Sequence, residues 1–169
     1  MTTATATTTQ IYQVFIKATP EAIWEAINNP EFTRMYFHGA QVETTGDAGS
    51  PMRYYSPDRS SLWGDDTILE SDRPRRLVVT WRALYDAELA AEEPSRVTWE
   101  IEPQEGGFSK LTVTHDQLEA SPKTAENVCR GTPSQSAQVP YSRVSSIRTS
   151  PTSNQTARIG TGAPAWSVT

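Results

Sequence analysis

Residues 10–18 alternate well. Tyr12, Val14 and Ile16 stand on one side and Ile11, Gln13, Phe15 and Lys17 on the other, the period-two pattern of a strand with one buried face. The period then changes: Ile23, Trp24, Ala26 and Ile27 recur at helical spacing, behind Thr19 as N-cap and Pro20 at the first helical position. Asn28-Asn29-Pro30 ends that helix and opens another, with Asn29 as cap and Phe32, Met35 and Tyr36 as its apolar stripe. After Gly39 the period returns to two, and strands are expected over residues 40–45, 52–55, 67–71, 76–84, 96–102 and 108–118. Gly46-Asp47-Ala48-Gly49 and Glu105-Gly106-Gly107 read as hairpin turns.

The later strands pattern alike. Leu77, Val79 and Trp81 share a face, as do Val97, Trp99 and Ile101, and Leu111, Val113 and His115; Thr80 and Arg82, Thr98 and Glu100, and Thr112, Thr114 and Asp116 lie opposite. One face is apolar and the other wet. Two short helices cannot cover such a sheet, so a longer closing helix is expected, and Ser121 as cap with Pro122 at its first position marks a start. The helical pattern stops after Val128. Residues 129–169 carry 8 Ser, 6 Thr and 4 Pro and no apolar stripe, and a disordered tail is expected there, as over the Thr/Ala-rich residues 1–9.

Charge sharpens that boundary. Residues 1–128 hold 11 Lys and Arg against all 20 Asp and Glu, a net −9, whereas residues 129–169 hold 4 Arg and no acid, +4; together these make the −5 of the chain. An acidic folded part argues against a nucleic-acid partner. No stretch of the 169 residues has the apolar length of a membrane span, the N-terminus lacks the features of a signal peptide, and a cytoplasmic protein with no membrane partner is expected. The single Cys129 offers neither a disulfide nor a zinc site. No phosphate loop, His-Glu-x-x-His helix or nucleophile elbow occurs, and neither metal nor cofactor is expected.

In order and wording, residues 11–128 resemble the START-like (SRPBCC) superfamily, in the branch similar to the C-terminal domain of the activator of the heat-shock protein 90 ATPase. The resemblance is carried by ATPEAIWEAINNPEFTRMYF, ILESDRPRRLVVTWR, RVTWEIEPQEGGFSKLTVTHDQLE and SPKTAENV. It implies an α+β helix-grip fold: a curved antiparallel sheet with two short N-terminal helices, wrapped around a C-terminal helix with a cavity between. Residues 10–128 would form this domain. Relatives continue with a Gly-Trp-Pro element and a Leu-rich helix, where this chain has Cys129-Arg130-Gly131-Thr132-Pro133. The closing helix is therefore read as truncated or replaced. An abrupt acid-free tail, in a chain whose Arg outnumber Lys by 12 to 3, matches either a shifted reading frame in a GC-rich gene or a genuine extension.

The cavity implied by the resemblance is expected to be lined by Trp24, Tyr54, Trp63, Trp81, Trp99, Val113 and His115, with Trp81 and Trp99 equally readable as core. Tyr54 and Tyr55 point oppositely, so one alone faces inward. His115 is the weak candidate for acid–base chemistry or for orienting a ligand carbonyl; a hydrogen-bonded core histidine is the plainer reading. His38 reads as a helix-end residue, Asp65-Asp66 as a turn, and Arg53, Arg82, Glu100 and Glu102 as a solvated sheet face. The first functional expectation is a non-catalytic domain binding a small hydrophobic ligand. The second, implied by the branch, is a stress-response co-chaperone acting on a heat-shock chaperone, though only nine residues precede the first strand. The third is an aromatase or cyclase. Without its closing helix, the domain is expected to expose Leu77, Val79, Trp81, Trp99, Ile101 and Val113 as an aggregation-prone patch and to lack a closed cavity.

Overall fold

A computed structural model describes residues 9–130 and 166–167. The chain runs β1 (Gln10–Ile16), α1 (Pro20–Asn28), α2 (Pro30–Tyr36), β2 (Gln41–Thr44), β3 (Pro51–Tyr55), β4 (Leu62–Asp72), β5 (Arg76–Trp81), α3 (Ala87–Ala90), β6 (Ser95–Pro103), β7 (Ser109–Asp116), α4 (Pro122–Arg130) and the two-residue β8 (Trp166–Ser167). All strands join one antiparallel sheet in the order β2-β3-β4-β5-β6-β7-β1-β8. The expected disordered segments fall, apart from the backbone of Cys129, Arg130 and β8 and the exposed Thr9, outside the described residues.

The helix starts follow the local chemistry. Thr19 Oγ1 accepts the amide of Ala22 at 3.3 Å, and Pro20 opens α1. Asn29 serves both helices: its amide donates to Glu25 O at 2.9 Å, closing α1, while its Oδ1 accepts from the Glu31 amide at 2.9 Å, opening α2. Thr33, 1% exposed, takes the Val42 amide on its Oγ1 at 3.1 Å and ties α2 to the edge strand β2.

The pairing Leu77↔Trp99↔Val113 and Val79↔Val97↔His115 places the apolar positions of β5, β6 and β7 on one face. Val14 joins the same face opposite Leu111, and Ala22, Ile23, Trp24 and Ile27 of α1 belong to the core on that face. This overturns the expected open patch. Leu77 and Val79 are 0% and Ile101 2% exposed, because α1 lies along the sheet with one face fully apolar. Trp81, Trp99 and Val113 are half-buried and turn toward a space between the sheet, α3 and α4.

Two local readings are also corrected. Asp65 and Asp66 lie inside β4, which begins five residues earlier than expected, so they point to opposite faces rather than making a turn. Asp65 reaches out to Arg53 at 2.9 Å, whereas Asp66 is 3% exposed. Ser121 does not cap α4 with its side chain. Its Oγ donates to Glu93 O at 2.7 Å, and the carboxylate of Glu92, arriving from the loop after α3, accepts the Lys123 and Thr124 amides at 2.7 and 2.8 Å. An anion beats a hydroxyl at a helix N-terminus because the exposed amides are partial positive charges. Glu92→Gln is expected to lower stability by about 0.5–2 kcal/mol, read by urea denaturation. A variant indistinguishable from the parent would mean that α4 is held without this cap.

On the wet face, Arg76 bridges Glu70 (3.1 Å) and Glu100 (2.7 Å), Lys110 pairs with Glu102 (2.8 Å), and Arg96 grips Asp116 with two bonds of 2.8 and 2.6 Å. These pairs are largely solvated, and each is worth at most about 1 kcal/mol. His38 follows α2 with φ of 50°, exposed.

Candidate functional site

A cavity of about 250 Å³ opens where α1 leaves the sheet uncovered. Its floor is the sheet: Tyr12 from β1, Trp81 from β5, Val97 and Trp99 from β6, and Val113 and His115 from β7. Tyr36, Phe37 and Tyr54 form one wall, and Tyr85, Leu89, Asn127 and Val128 of the α3 and α4 region form the other. The nine residues of α4 with the short α3 cover this end of the sheet in part and leave the pocket open on one side, so a cavity is present but it is not a closed one.

The aromatic side chains hold one another. Phe37, Tyr54 and Trp81 meet edge to face at ring separations of 5.4, 6.0 and 5.8 Å, and Trp81 stands edge-on to the His115 ring at 6.3 Å. Such contacts add about 0.5–1.5 kcal/mol each beyond area burial and fix ring positions, giving the cavity a preformed wall. Gly64 makes room for Tyr54: a Cβ there would stand 3.3 Å from Tyr54 Cδ2 and 3.2 Å from Asp66 Oδ2. Burial raises the Tyr54 hydroxyl pKa well above its ordinary value, so the phenol stays neutral.

His115 is 7% exposed, and burial lowers its pKa from 6.5 to about 4, against the smaller opposing pull of Asp116. Asp116 points to the wet face, where Arg96 engages both its oxygens. The partner of His115 is Ser95, whose Oγ lies 2.6 Å from Nε2. Ser95 is 1% exposed and also bonds Trp81 O at 3.1 Å. Ser95 itself does not border the cavity.

Of the residues expected to line a cavity, Tyr54, Trp81, Trp99, Val113 and His115 come together, and Tyr55 lies on the other face against Arg59. Trp24 and Trp63 do not join them. Trp24, 3% exposed, is spent on the α1–sheet core, and Trp63, at the irregularity where β4 shifts register against β3, packs against the core and stands edge-on to Tyr85 at 6.2 Å without bordering the cavity. Sequence reasoning missed Ser95, Phe37 and Asp66. Extending the β6 pattern back by one residue would have placed Ser95 beside Val97 on the apolar face. Asp66 required seeing that Gly64, Asp66 and Ile68 alternate inward as one strand. Among the described residues no group of three or more His, Cys, Asp or Glu is placed to hold a metal ion, and no helix is long and apolar enough to cross a membrane.

The profile of one protein family, described as activator of Hsp90 ATPase homolog 1-like protein, matches residues 17–138. The chain belongs to this family. Its α+β sheet and helices are those of the START-like, helix-grip architecture that the sequence resembled. Solved structures share the fold of this family member at low identity. Protein MLL2253 from Mesorhizobium loti superposes with a TM-score of 0.58 at 18% identity, covering 75% of this chain and 89% of its own. PFC0360w, an HSP90 activator from Plasmodium falciparum, gives 0.59 at 18%, covering 76% and 89%. Protein NE0264 from Nitrosomonas europaea gives 0.54 at 13%, covering 73% and 84%. No functionally curated protein matches the sequence.

Proposed function

We propose that this member of the activator of Hsp90 ATPase homolog 1-like family is a non-catalytic binding domain for a small hydrophobic ligand. The observation that carries the reading is the aromatic cavity of about 250 Å³ between sheet and helices. Its size is just under the range of about 300–1,000 Å³ usual for ligand pockets, and a dry apolar cavity of about 150 Å³ suffices for benzene. One- or two-ring aromatic compounds fit; fused four-ring sterols exceed it. The non-catalytic part rests on His115, which with a pKa of about 4 is a weak base at neutral pH, and on Ser95, which is shut away from the cavity.

Thermal shift on the intact chain tests the reading. A two-ring aromatic at a hundred times its Kd is expected to add about 2.7 kcal/mol and raise the midpoint by roughly 5–20 °C. If no one- or two-ring compound moves the midpoint at saturating concentration, the cavity is packing space and the proposal fails.

The family's description favours a second reading, action on an Hsp90 ATPase. Adding the protein to the Hsp90 of its source organism would then raise the ATPase rate, and an unchanged rate at saturating protein would remove it. A cytoplasmic location is consistent with both readings.

A further inference from the structure

Resting on the cavity reading, we infer that the ligand is a neutral aromatic alcohol or phenol whose hydroxyl donates a hydrogen bond to Nδ1 of His115. The argument begins with a proton count. The Ser95 hydroxyl has one proton and two close acceptors-in-waiting, Trp81 O at 3.1 Å and His115 Nε2 at 2.6 Å. A carbonyl oxygen only accepts, so satisfying it consumes the serine proton. The contact with His115 is then a hydrogen bond only if Nε2 carries the proton and donates to Ser95 Oγ. Ser95 is 1% exposed, so bulk water does not compete for either contact. The buried serine therefore selects the tautomer, and a neutral imidazole protonated on Nε2 has a bare lone pair on Nδ1.

That lone pair takes no hydrogen bond among the described residues, and the ring borders the cavity. Nδ1 is open to the cavity rather than sealed inside the protein; an apolar ligand that displaces water from it leaves it unpaired, a cost that an isosteric ligand with a donor avoids. This reverses the sequence-based role of orienting a carbonyl: two acceptors facing each other repel. A buried anion is disfavoured for a second reason. The described lining contains no Lys or Arg, and burial keeps the His115 ring itself uncharged at neutral pH.

Two measurements test the inference on the full chain. Binding of 2-naphthol, 2-methylnaphthalene and 2-naphthoate is compared at pH 7 by tryptophan fluorescence. Transfer from water alone favours the methyl compound, so tighter binding of the naphthol requires a polar partner. The expected order is naphthol tightest, at least about fivefold over 2-methylnaphthalene, and naphthoate weakest. In His115→Phe the naphthol advantage is expected to vanish. The second measurement needs no ligand and no variant: long-range proton–nitrogen NMR of the imidazole is expected to show protonated Nε2 and bare Nδ1. If the compounds bind without preference for the naphthol, if the preference survives in His115→Phe, or if Nδ1 carries the proton, the inference is overturned while the cavity reading stands. If none of the three binds, both fall.

Discussion

Replacing Trp24 by Ala is expected to cost about 3–5 kcal/mol, the largest single loss in the molecule. Trp24 is 3% exposed and is the biggest side chain that α1 contributes to the core it shares with Val14, Leu77 and Ile101. Against a total stability of roughly 5–15 kcal/mol for a domain of this size, the variant would sit near the edge of folding. The prediction also separates core from cavity. Where the variant is still folded, its affinity for a cavity ligand should change far less than its urea midpoint, since Trp24 does not border the cavity. A loss below 1 kcal/mol, or a ligand effect as large as the stability effect, would contradict the division.

The second large effect is a pH profile that hides two opposing slopes. Burial pushes the Asp66 carboxyl up from 3.8 to about 7, against the hydrogen bonds its Oδ1 accepts from Thr80 Oγ1 (3.2 Å) and the Arg82 amide (3.0 Å). Its Oδ2 is buried with no partner, which leaves that oxygen free to carry a proton. The folded state keeps a proton that the unfolded chain releases above about pH 4, so this contribution is lost as pH rises from 3.8 to about 7. His115 runs the other way. The unfolded chain takes up a proton below pH 6.5 that the folded state refuses down to about 4, so stability is lost as pH falls through that window. Each slope is about 1.4 kcal/mol per pH unit, and between about pH 4 and 6.5 they cancel.

Single variants unmask them. Asp66→Asn is expected to gain stability steadily from pH 4 to 6.5 and to exceed the parent at pH 8 by several kcal/mol relative to their difference at pH 4. His115→Gln is expected to decline over the same window. Urea titrations at four pH values read both, and profiles parallel to the parent for either variant would show that the group does not titrate with folding.

The legible part of this fold was local. Thr19-Pro20 and Asn29-Pro30 announce their helices because capping is satisfied within three residues, and Leu77, Val97 and Leu111 reveal their faces because strand parity is a property of neighbours. What resisted reading depends on partners far along the chain. Glu92 displaced Ser121 as the cap of α4 from across a loop. Trp24 and Trp81 are both aromatic residues on apolar faces, and only the placement of α1 assigns one to packing and the other to the cavity wall. The Ser95–His115 pair belongs to the same class, for it exists only once the β6–β7 register sets Val97 opposite His115.

The sheet order gives the domain a built-in timetable. β1 is made first yet pairs with β7, made last of the long strands, and Gln13 Nε2 reaches Thr112 Oγ1 across a separation of 99 residues. Closing a loop of this length costs about 4 kcal/mol in chain entropy before any contact repays it. On a ribosome, β1 therefore waits without a hydrogen-bonding neighbour while the five successive pairings among β2 to β7 can form behind it as each strand emerges. The α1 residues that cover the sheet wait with it, so the newborn meander carries its apolar face uncovered until the N-terminal segment swings back. Holding that segment soluble in the interval falls to its polar positions, Gln10, Gln13, Lys17, Thr19, Glu21 and Glu25, spaced so that no more than three consecutive residues are apolar.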